Sequence, residues 1–149
     1  MKVVIQRVTN ASVEISNSVT TKINYGLLIF VGIEVNDSVN DVDWLAQKIY
    51  QLRIFNDDNG LMNLNVNDAK GEILVISQFT LHAKTKKGNR PSFIDAAKPE
   101  QAIPLYNYFI DKLSGFNVNV KTGKFGAMMK IILVNDGPVT IIIDSKNKE

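Results

Sequence analysis

Few residues in this 149-residue sequence could do chemistry by the commonest catalytic routes. The chain contains no cysteine and a single histidine, His82. These counts exclude a disulfide scaffold, a thiolate zinc site, a cysteine nucleophile and a histidine-rich metal centre. Any Ser-His-Asp triad would have to use His82. A lone histidine beside a basic loop is more often a surface or half-buried residue than a general base, so His82 is a weak candidate for catalysis.

Two short polar segments are better candidates, because each interrupts an otherwise apolar stretch. Residues 77–81 read Ser-Gln-Phe-Thr-Leu and follow a strongly apolar run. They indicate either a strand that becomes amphipathic as it leaves the core, or small polar groups and backbone N–H groups that line a pocket. The residues alone leave both interpretations open.

The second segment, residues 135–140, reads Asn-Asp-Gly-Pro-Val-Thr and separates two apolar runs. Asp-Gly alone would predict a type I′ hairpin turn. Pro138 opposes that turn, because the residue before a proline is biased towards extended dihedrals. A cis bond between Gly137 and Pro138, a minority case at ~5% of such bonds, would turn two carbonyls to a common side as a rigid recognition element.

A basic loop, residues 84–90, accounts for the net charge of the protein. It holds four basic residues and no acidic one, whereas the rest of the chain has 13 basic and 15 acidic residues. The overall charge of +2 is too small for a protein that coats nucleic acid along its whole surface. The loop is either a solvated surface segment or a grip on the phosphates of a polyanionic substrate.

Carboxylate pairs give no sign of acid–base chemistry or of a metal. Asp41 and Asp43 fall at a predicted helix start, and Asp57 and Asp58 fall in a predicted turn, both typical of solvated surface. The turn, residues 56–60, lacks the spaced ligands and the final glutamate of a calcium loop. We therefore expect no cofactor and no metal.

The elements that must position these segments are mostly strands. Strands are predicted over residues 3–15, 19–23, 26–35, 72–81, 116–120, 128–134 and 139–143, with a turn at Asn17 and Ser18. Helices are predicted over residues 39–53 and 99–113, with Gly115 as the stop of the second and Pro104 as an irregularity inside it. The pattern predicts a single α+β domain over residues 1–149, a curled, barrel-like, mostly antiparallel sheet with two main helices packed on it.

The ends of the chain give no targeting or membrane signal. At most four apolar residues precede Gln6 and Arg7, too few for the apolar core of a signal peptide. The longest apolar run, residues 26–33, is far shorter than the ~20 residues of a membrane-spanning helix. We therefore expect a cytoplasmic protein without a membrane partner.

Along nearly its whole length the sequence resembles the D-aminoacyl-tRNA deacylases. Both polar segments, 77–81 and 135–140, are similar to signatures of that family, and their joint spacing in a chain of this length makes the resemblance specific. The opening residues 1–13 and the segments 89–93, 96–102 and 124–129 fit as well. Pro104 departs from the expected helix but touches no signature.

The resemblance implies a cofactor-free homodimer that hydrolyses the ester between a D-amino acid and the 3′ end of tRNA. It implies a cis Gly137–Pro138 bond inserted into the active site of the opposite subunit, with Arg7 helping to hold the inserted loop. It places Ser77, Gln78, Phe79 and Thr80 around the reacting ester. The remaining expected substrate-binding residues are Ala102, Met129, Lys86, Lys87 and Arg90.

This chemistry suits a chain that is poor in reactive side chains. An aminoacyl ester is already activated, and its own ribose carries a neighbouring 2′-hydroxyl that can assist. Backbone N–H groups near Phe79 and Thr80, with Gln78, are candidates for stabilising the oxyanion. Thr80 as a nucleophile is the rival mechanism, although the sequence shows no adjacent base to activate it.

A rigid backbone wall at Gly137 and Pro138 would reject any L side chain by steric clash. Glycine has no side chain to clash, so the same wall predicts some cleavage of glycyl-tRNA. Two alternatives remain: a sister deacylase for other mischarged tRNAs, and a non-catalytic nucleic-acid-binding module that uses the basic loop. The second normally needs exposed aromatic residues among its basic ones, and the sequence shows little sign of them.

Overall fold

The computed structural model describes residues 1–148 and is organised around one long strand, β1 (Lys2–Ile15). Along one edge β1 pairs antiparallel first with β3 (Gly26–Gly32) and then with β2 (Ser18–Ile23). Its other edge pairs antiparallel with β8 (Lys130–Asp144) over almost the whole length. The predicted first hairpin is confirmed, with its turn one residue earlier, because Ser16 and Asn17 both have the positive φ that a tight hairpin requires.

The sheet continues in parallel from β3 to β6 (Glu72–Ser77) and then to β7 (Val120–Thr122). Both β3 and β6 are buried on both faces, as the apolar run at residues 26–33 predicts. A separate small hairpin joins β4 (Phe55–Asn56) to β5 (Met62–Leu64). Its connection at residues 57–61 contains most of the predicted turn, and there the Asp57 carboxylate accepts hydrogen bonds from the backbone N–H groups of Asn59 and Leu61.

Two helices cover one face of the sheet. Helix α1 (Val39–Gln51) begins at a capping box, in which the Asp41 carboxylate accepts hydrogen bonds from the backbone N–H and the hydroxyl of Ser38. Helix α2 (Pro99–Ser114) is continuous through Pro104, which faces solvent in the second turn, and it ends at Gly115 as predicted. The buried apolar residues of the two helices are Val42, Leu45, Ala46, Ile49, Ala102, Tyr106, Phe109 and Leu113.

The sheet therefore separates two apolar clusters. One lies between the sheet and the helices, and the other, which includes Val8, Val13, Leu28 and Leu74, is enclosed where the sheet curls on itself. The predicted α+β class and barrel-like sheet are confirmed. No helix in the described part of the chain is long and apolar enough to span a membrane.

Two predicted strand assignments are wrong. Residues 128–134 and 139–143 are one strand, β8, that stays paired with β1 on both sides of the Asn-Asp-Gly-Pro segment. The run at residues 72–81 stops being a strand at Ser77 and turns into a 3-10 helix (Phe79–His82). Both differences fall at the polar segments that the sequence singled out. The strand predicted at 116–120 is displaced to Val120–Thr122.

Candidate active site

An apolar cleft of about 630 Å³ opens where β6 ends. Its walls come from three separate segments, and fifteen described residues line it: Ile76, Ser77, Gln78, Phe79, Phe93, Ala96, Ala97, Lys98, Pro99, Phe125, Gly126, Ala127, Met128, Met129 and Ile131. A concave, mostly apolar site with a few converging polar groups is the usual form of a small-ligand site.

The first wall is the polar segment itself. The Gln78 N–H donates to the Val31 carbonyl at 2.8 Å, and this is the last hydrogen bond between β6 and β3. The chain then turns into the 3-10 helix. Phe79 and Thr80 open that turn, so their N–H groups have no carbonyl within it to bond. Phe79 is 55% exposed although it is large and apolar. The pocket interpretation of residues 77–81 therefore fits better than a plain amphipathic strand.

Thr80 has a side-chain partner, but that partner is not a base. The Gln78 Nε2 group donates to Thr80 Oγ1 at 2.6 Å. Among the described residues no carboxylate or imidazole is hydrogen-bonded to that hydroxyl. An amide that donates to the oxygen occupies a lone pair and removes no proton, so this geometry does not activate Thr80.

The second wall, residues 93–99, is attached by backbone hydrogen bonds to the chain that follows β3. The Ala97 N–H donates to the Ile33 carbonyl at 2.9 Å, and the Val35 N–H donates to the Asp95 carbonyl at 3.0 Å. Phe93 meets Phe79 edge to face with ring centroids 5.1 Å apart, which joins the first wall to the second. The sequence offered only a weak signal for this wall, the alanine and proline residues just before α2.

The third wall depends on close packing of Met129 and Phe125. A Cβ atom on Gly123 would lie 2.7 Å from the Met129 sulfur, so Met129 packs directly against the glycine and would have to shift if a side chain were added there. Behind Phe125, the Tyr106 ring packs edge to face at 5.5 Å, and its hydroxyl donates to the Val75 carbonyl at 3.1 Å. Burial raises the pKa of Tyr106 to about 12, so this hydroxyl stays protonated and structural.

His82 lies behind the first wall rather than in the cleft. Its side chain is buried, its Nδ1 atom lies 3.6 Å from a Glu34 carboxylate oxygen, and its Nε2 atom has no hydrogen-bond partner among the described residues. Its Cδ2 atom would lie 3.0 Å from a Cβ on Gly32, which shows how closely the ring packs on β3. His82 is therefore more deeply buried than the sequence suggested, and it does not line the cleft.

The Asn-Asp-Gly-Pro segment forms a bulge on β8 far from this cleft. Asn135 pairs with Val8 and Thr140 pairs with Gln6, so residues 136–139 bulge opposite Arg7 alone. The Asn135 amide closes the base of the bulge by donating to Thr140 Oγ1 at 2.9 Å and accepting from the Val139 N–H at 3.1 Å. The peptide bond between Gly137 and Pro138 is cis.

Arg7 holds the bulge from beneath. Its guanidinium Nε lies 3.0 Å from an Asp136 carboxylate oxygen, and its Nη1 donates to the Ile54 carbonyl at 2.7 Å. The arginine side chain is 6% exposed and Asp136 is 33% exposed, so the pair is partly desolvated. Because the Arg7 guanidinium is buried and contacts both Asp136 and Ile54, it fixes the position of the bulge.

The predicted site residues thus fall into separate groups. The cleft is lined by Ser77, Gln78, Phe79 and Met129, with Thr80 beside them. Ala102 belongs to α2 and is buried in the core. Lys86, Lys87 and Arg90 are exposed on the basic loop, whose base is the backbone pair between Lys84 and Ser92 next to Phe93.

Gly137, Pro138 and Arg7 lie about six residues of β1 from the cleft wall at Ile131, which is roughly 20 Å along a strand. One chain therefore does not bring the two signatures together. The sequence reasoning missed Lys98, the charged residue of the cleft, because a single lysine before a helix gives no signal. No group of three or more metal-ligating side chains lies together in residues 1–148.

Comparison with known proteins agrees with this geometry. Residues 4–144 match the family described as D-Tyr-tRNA(Tyr) deacylase. Two relatives, each named D-aminoacyl-tRNA deacylase, come from Flavobacterium psychrophilum and Bacteroides fragilis. They are 62% and 61% identical over 150 residues, with 100% of this chain and of each relative covered.

Two solved structures share the fold. One, described as a c-Myc DNA unwinding element binding protein, is 40% identical, has a TM-score of 0.91 and covers 97% of this chain and 98% of its own. The other, described as a probable eukaryotic D-amino acid tRNA deacylase, is 14% identical, has a TM-score of 0.81 and covers 95% and 97%. At that identity the second similarity concerns the fold alone.

Proposed function

The chain belongs to the D-Tyr-tRNA(Tyr) deacylase family, and we propose that it hydrolyses the ester bond of D-aminoacyl-tRNA, releasing the free D-amino acid and tRNA. The observation that carries the proposal is the cleft at residues 76–79, where an exposed phenylalanine and the first N–H groups of a 3-10 turn meet apolar walls. Such a cleft offers stacking surface for a nucleoside and donors for an ester carbonyl.

In the proposed reaction a water oxygen attacks the ester carbonyl, and the bond from that carbon to the ribose oxygen breaks. The ribose oxygen takes up one proton of the water, the amino acid leaves as a carboxylate, and the second proton of the water is released to solvent. Gln78 and the N–H groups of Phe79 and Thr80 stabilise the negative charge that develops on the carbonyl oxygen, and one such donor is typically worth ~3 kcal/mol. The 2′-hydroxyl of the substrate assists the proton transfer, which leaves little chemistry for protein side chains.

Chiral selection is assigned to the Gly137–Pro138 bulge of a second subunit, inserted into the cleft of the first. Both residues are exposed, and the Arg7–Asp136 ion pair at 3.0 Å braces them. A wall of backbone atoms excludes an L side chain of any kind, because it cannot rotate away. Glycyl-tRNA has no such side chain and is expected to be cleaved to some degree.

A homodimer is supported by the outer surface of β8. Within the described chain β8 pairs with β1 alone, so its second edge is unpaired. Ile132, Val134 and Ile142 on this strand are 48%, 51% and 72% exposed. A long, apolar, unpaired edge is a surface that proteins normally cover. The same strand carries the Gly137–Pro138 bulge, so pairing at this edge would bring the bulge into the interface.

The basic loop is proposed to hold the phosphates near the 3′ end of the tRNA. Lys86, Lys87 and Arg90 are exposed there, whereas Lys84 is paired with Asp95 at 2.5 Å. The loop is continuous with the cleft wall at Phe93, so a nucleic-acid strand that leaves the cleft would pass it. Because aminoacyl-tRNA is used in the cytoplasm, we place the enzyme there.

The test is cleavage of D-tyrosyl-, L-tyrosyl- and glycyl-tRNA by the purified protein, measured as release of the labelled amino acid. We expect rapid cleavage of the D ester, partial cleavage of the glycyl ester and none of the L ester. Equal rates on D and L esters would refute the backbone wall. Binding of tRNA without cleavage of any ester would favour the non-catalytic binding module instead.

A D-aminoacyl-tRNA that ends in 2′-deoxyadenosine tests the assistance by the ribose. We expect its hydrolysis to be far slower than that of the ribose substrate, with unchanged binding measured by competition. An unchanged rate would refute this role of the 2′-hydroxyl.

A further inference from the structure

Lys98 is the one charged residue among the fifteen described residues that line the cleft. It lies directly before α2, and its side chain is exposed. Its backbone is fixed, because the Lys98 carbonyl accepts hydrogen bonds from the N–H groups of Gln101 and Ala102 at 3.0 and 2.9 Å. The ammonium group is therefore carried by a rigid helix start rather than by a loop.

The Lys98 ammonium has no ion-pair or hydrogen-bond partner among residues 1–148. The nearby carboxylate of Asp95 is taken by Lys84, at 2.5 Å. The start of a helix carries partial positive charge, so a cation there is disfavoured and normally belongs at the other end. As the single charged side chain on the wall of an otherwise uncharged cleft, without a partner in the described chain, this ammonium group is free to bind an anionic group of a ligand.

We infer that Lys98 binds the phosphate on the 5′ side of the terminal adenosine of the tRNA. This inference rests on the proposed function. The aminoacylated end of a tRNA carries two kinds of charge, the cationic amino group of the amino acid and the anionic phosphodiester. A cation at Lys98 attracts the phosphodiester and repels the amino group. It thereby orients the terminal nucleotide, with its ester towards Ser77–Thr80 and its backbone towards the start of α2.

The role is one of substrate binding and orientation, because Lys98 lies on a different wall from the residues assigned to the ester. A phosphate contact by an exposed lysine is screened by salt, and binding to single-stranded nucleic acid weakens with a log–log slope of about 0.7 per phosphate contact. Loss of this contact is therefore expected to raise KM at low salt and to leave kcat nearly unchanged.

The experiment compares two substrates that differ in the phosphate. One is D-tyrosyl-tRNA, and the other is 2′(3′)-O-D-tyrosyl-adenosine, which has the same ester and no phosphate. The variants are Lys98→Ala and Lys98→Arg, with Lys48→Ala on the far face of α1 as a control of equal charge change. Circular dichroism and thermal unfolding confirm that all variants are folded.

For Lys98→Ala we expect kcat/KM on D-tyrosyl-tRNA to fall about five- to tenfold at low salt. The salt slope is expected to be shallower by about 0.7. On D-tyrosyl-adenosine the same variant should match the wild type. Lys98→Arg should stay near the wild type on both substrates, because the positive charge is kept. Lys48→Ala should change neither.

An equal loss on both substrates would overturn the inference, because Lys98 would then act on the aminoacyl part or on the released carboxylate. No loss on either substrate would overturn it as well. A wild-type protein that cleaves neither substrate would instead refute the proposed function, so the two failures are distinguishable.

Discussion

At the scale of single residues, the cleft contains almost no reactive side chains. The hydroxyl of Thr80 accepts a hydrogen bond from Gln78 at 2.6 Å and lacks a base among its described neighbours. His82 is buried behind the cleft and faces Glu34. These contacts favour positioning over covalent catalysis, so the chemistry is assigned to backbone donors, a water molecule and the substrate's own ribose.

The variant Thr80→Ala tests this assignment. We expect a rate within about tenfold of the wild type, because the variant loses one hydrogen bond to Gln78 and keeps the backbone N–H. Removal of a true nucleophile costs on the order of 10⁴-fold or more. Single-turnover release of D-tyrosine separates the two cases, with Thr20→Ala on β2, which also loses one hydroxyl hydrogen bond, as a matched control. A loss of the larger size would establish Thr80 as the nucleophile.

Gly137 is the residue at which a methyl group should be most damaging. Its φ is +124°, and a Cβ there would lie 2.8 Å from a Val139 methyl carbon and 3.1 Å from Arg7 Nη2. Gly137→Ala is therefore expected to displace the bulge and lower deacylation of D-tyrosyl-tRNA by at least about tenfold, because site geometry controls the rate steeply. Thermal unfolding should remain cooperative.

Gly60→Ala is the matched control for that variant. Gly60 has a φ of +77° but has open space around its Cβ position, in the turn between β4 and β5. The two variants share a backbone that disfavours side chains and differ in the steric clash. Equal activity losses in both would show that the bulge has no special part in the reaction.

At the scale of elements, the start of α1 is stabilised by a cluster of charges that joins both ends of the chain. The Met1 amine donates to Asp37 at 2.5 Å and to the Ser145 hydroxyl at 2.9 Å. Ser145 and Lys146 in turn donate to Asp41 at 2.7 and 2.8 Å. Burial alone would raise the pKa of Asp41, but the hydrogen bonds from Lys146, Ser145 and Ser38 outweigh it and hold that pKa far below its usual value.

This lowered pKa sets the sign of a pH dependence. The stability that ionised Asp41 contributes is fully present above the ordinary carboxyl pKa of about 4, and it is lost as the pH falls towards the lowered value. Asp41→Asn is expected to reduce the free energy of unfolding by about 1 kcal/mol at pH 7, where the capping box is also weakened. The difference from wild type should shrink below about pH 4.

Urea unfolding between pH 2 and pH 7 measures this difference. Asp58→Asn, in the exposed turn after β4, is the control and should follow the wild type throughout. A constant difference between Asp41→Asn and the wild type at all pH values would contradict an ionisation effect and leave only a packing effect.

The elements also show what the sequence could predict. Period and apolar content were sufficient for α1, α2, β1 and β3, because each buries a continuous stripe or face. The spacing of apolar residues predicted neither where β6 ends nor that β8 is continuous. The β6 ladder ends after Ser77 because the chain turns into the 3-10 helix, where the Leu81 N–H donates to the Gln78 carbonyl at 3.3 Å. Strand β8 continues past its bulge because β1 supplies pairing on both sides. This continuity depends on tertiary contacts, which the strand propensities of the individual residues do not reflect.

The candidate site was predictable only in part for the same reason. The segment at 77–80 was singled out by its polar residues inside an apolar run, and Met129 by its resemblance to the family. Residues 96–102 were noted only as part of the family resemblance, and nothing in the sequence indicated that Ala97 and Lys98 line a cleft. Their place there depends on how the chain before α2 bonds to Ile33 and Val35. Charge and polarity in a sequence indicate that a segment is unusual, whereas the fold decides what it faces.

At the scale of the whole molecule, the cleft and the Gly137–Pro138 bulge lie at separate places on one chain. A site that uses both therefore needs two copies, with the bulge of one subunit in the cleft of the other. The exposed apolar residues of β8, the strand that carries the bulge, are where such copies would meet. A shared site makes a prediction that a site within one chain does not.

The prediction concerns two variants that are each inactive for a different reason. Ala127→Trp fills the cleft from its third wall and leaves the bulge intact, whereas Gly137→Ala displaces the bulge and leaves the cleft open. Each homodimer should be inactive on D-tyrosyl-tRNA. In a mixed dimer, the intact bulge of one subunit meets the open cleft of the other, which gives one working site. Random mixing of equal amounts should then recover about a quarter of the wild-type activity per subunit, since half of the dimers are mixed and each has one site of two.

Co-refolding of the two variants, followed by the deacylation assay and sedimentation to measure the dimer, makes the test. Mixing Gly137→Ala with Gly60→Ala is the control for refolding yield, because it should give half of the wild-type activity per subunit whatever the extent of exchange. If each subunit used its own bulge, the Ala127→Trp and Gly137→Ala mixture would stay inactive although it dimerised. If the protein sedimented as a monomer, the shared site would be excluded at once. Recovery therefore depends on the bulge acting across the interface, and loss of recovery would confine the contribution of the bulge to D-tyrosyl-tRNA cleavage to its own chain.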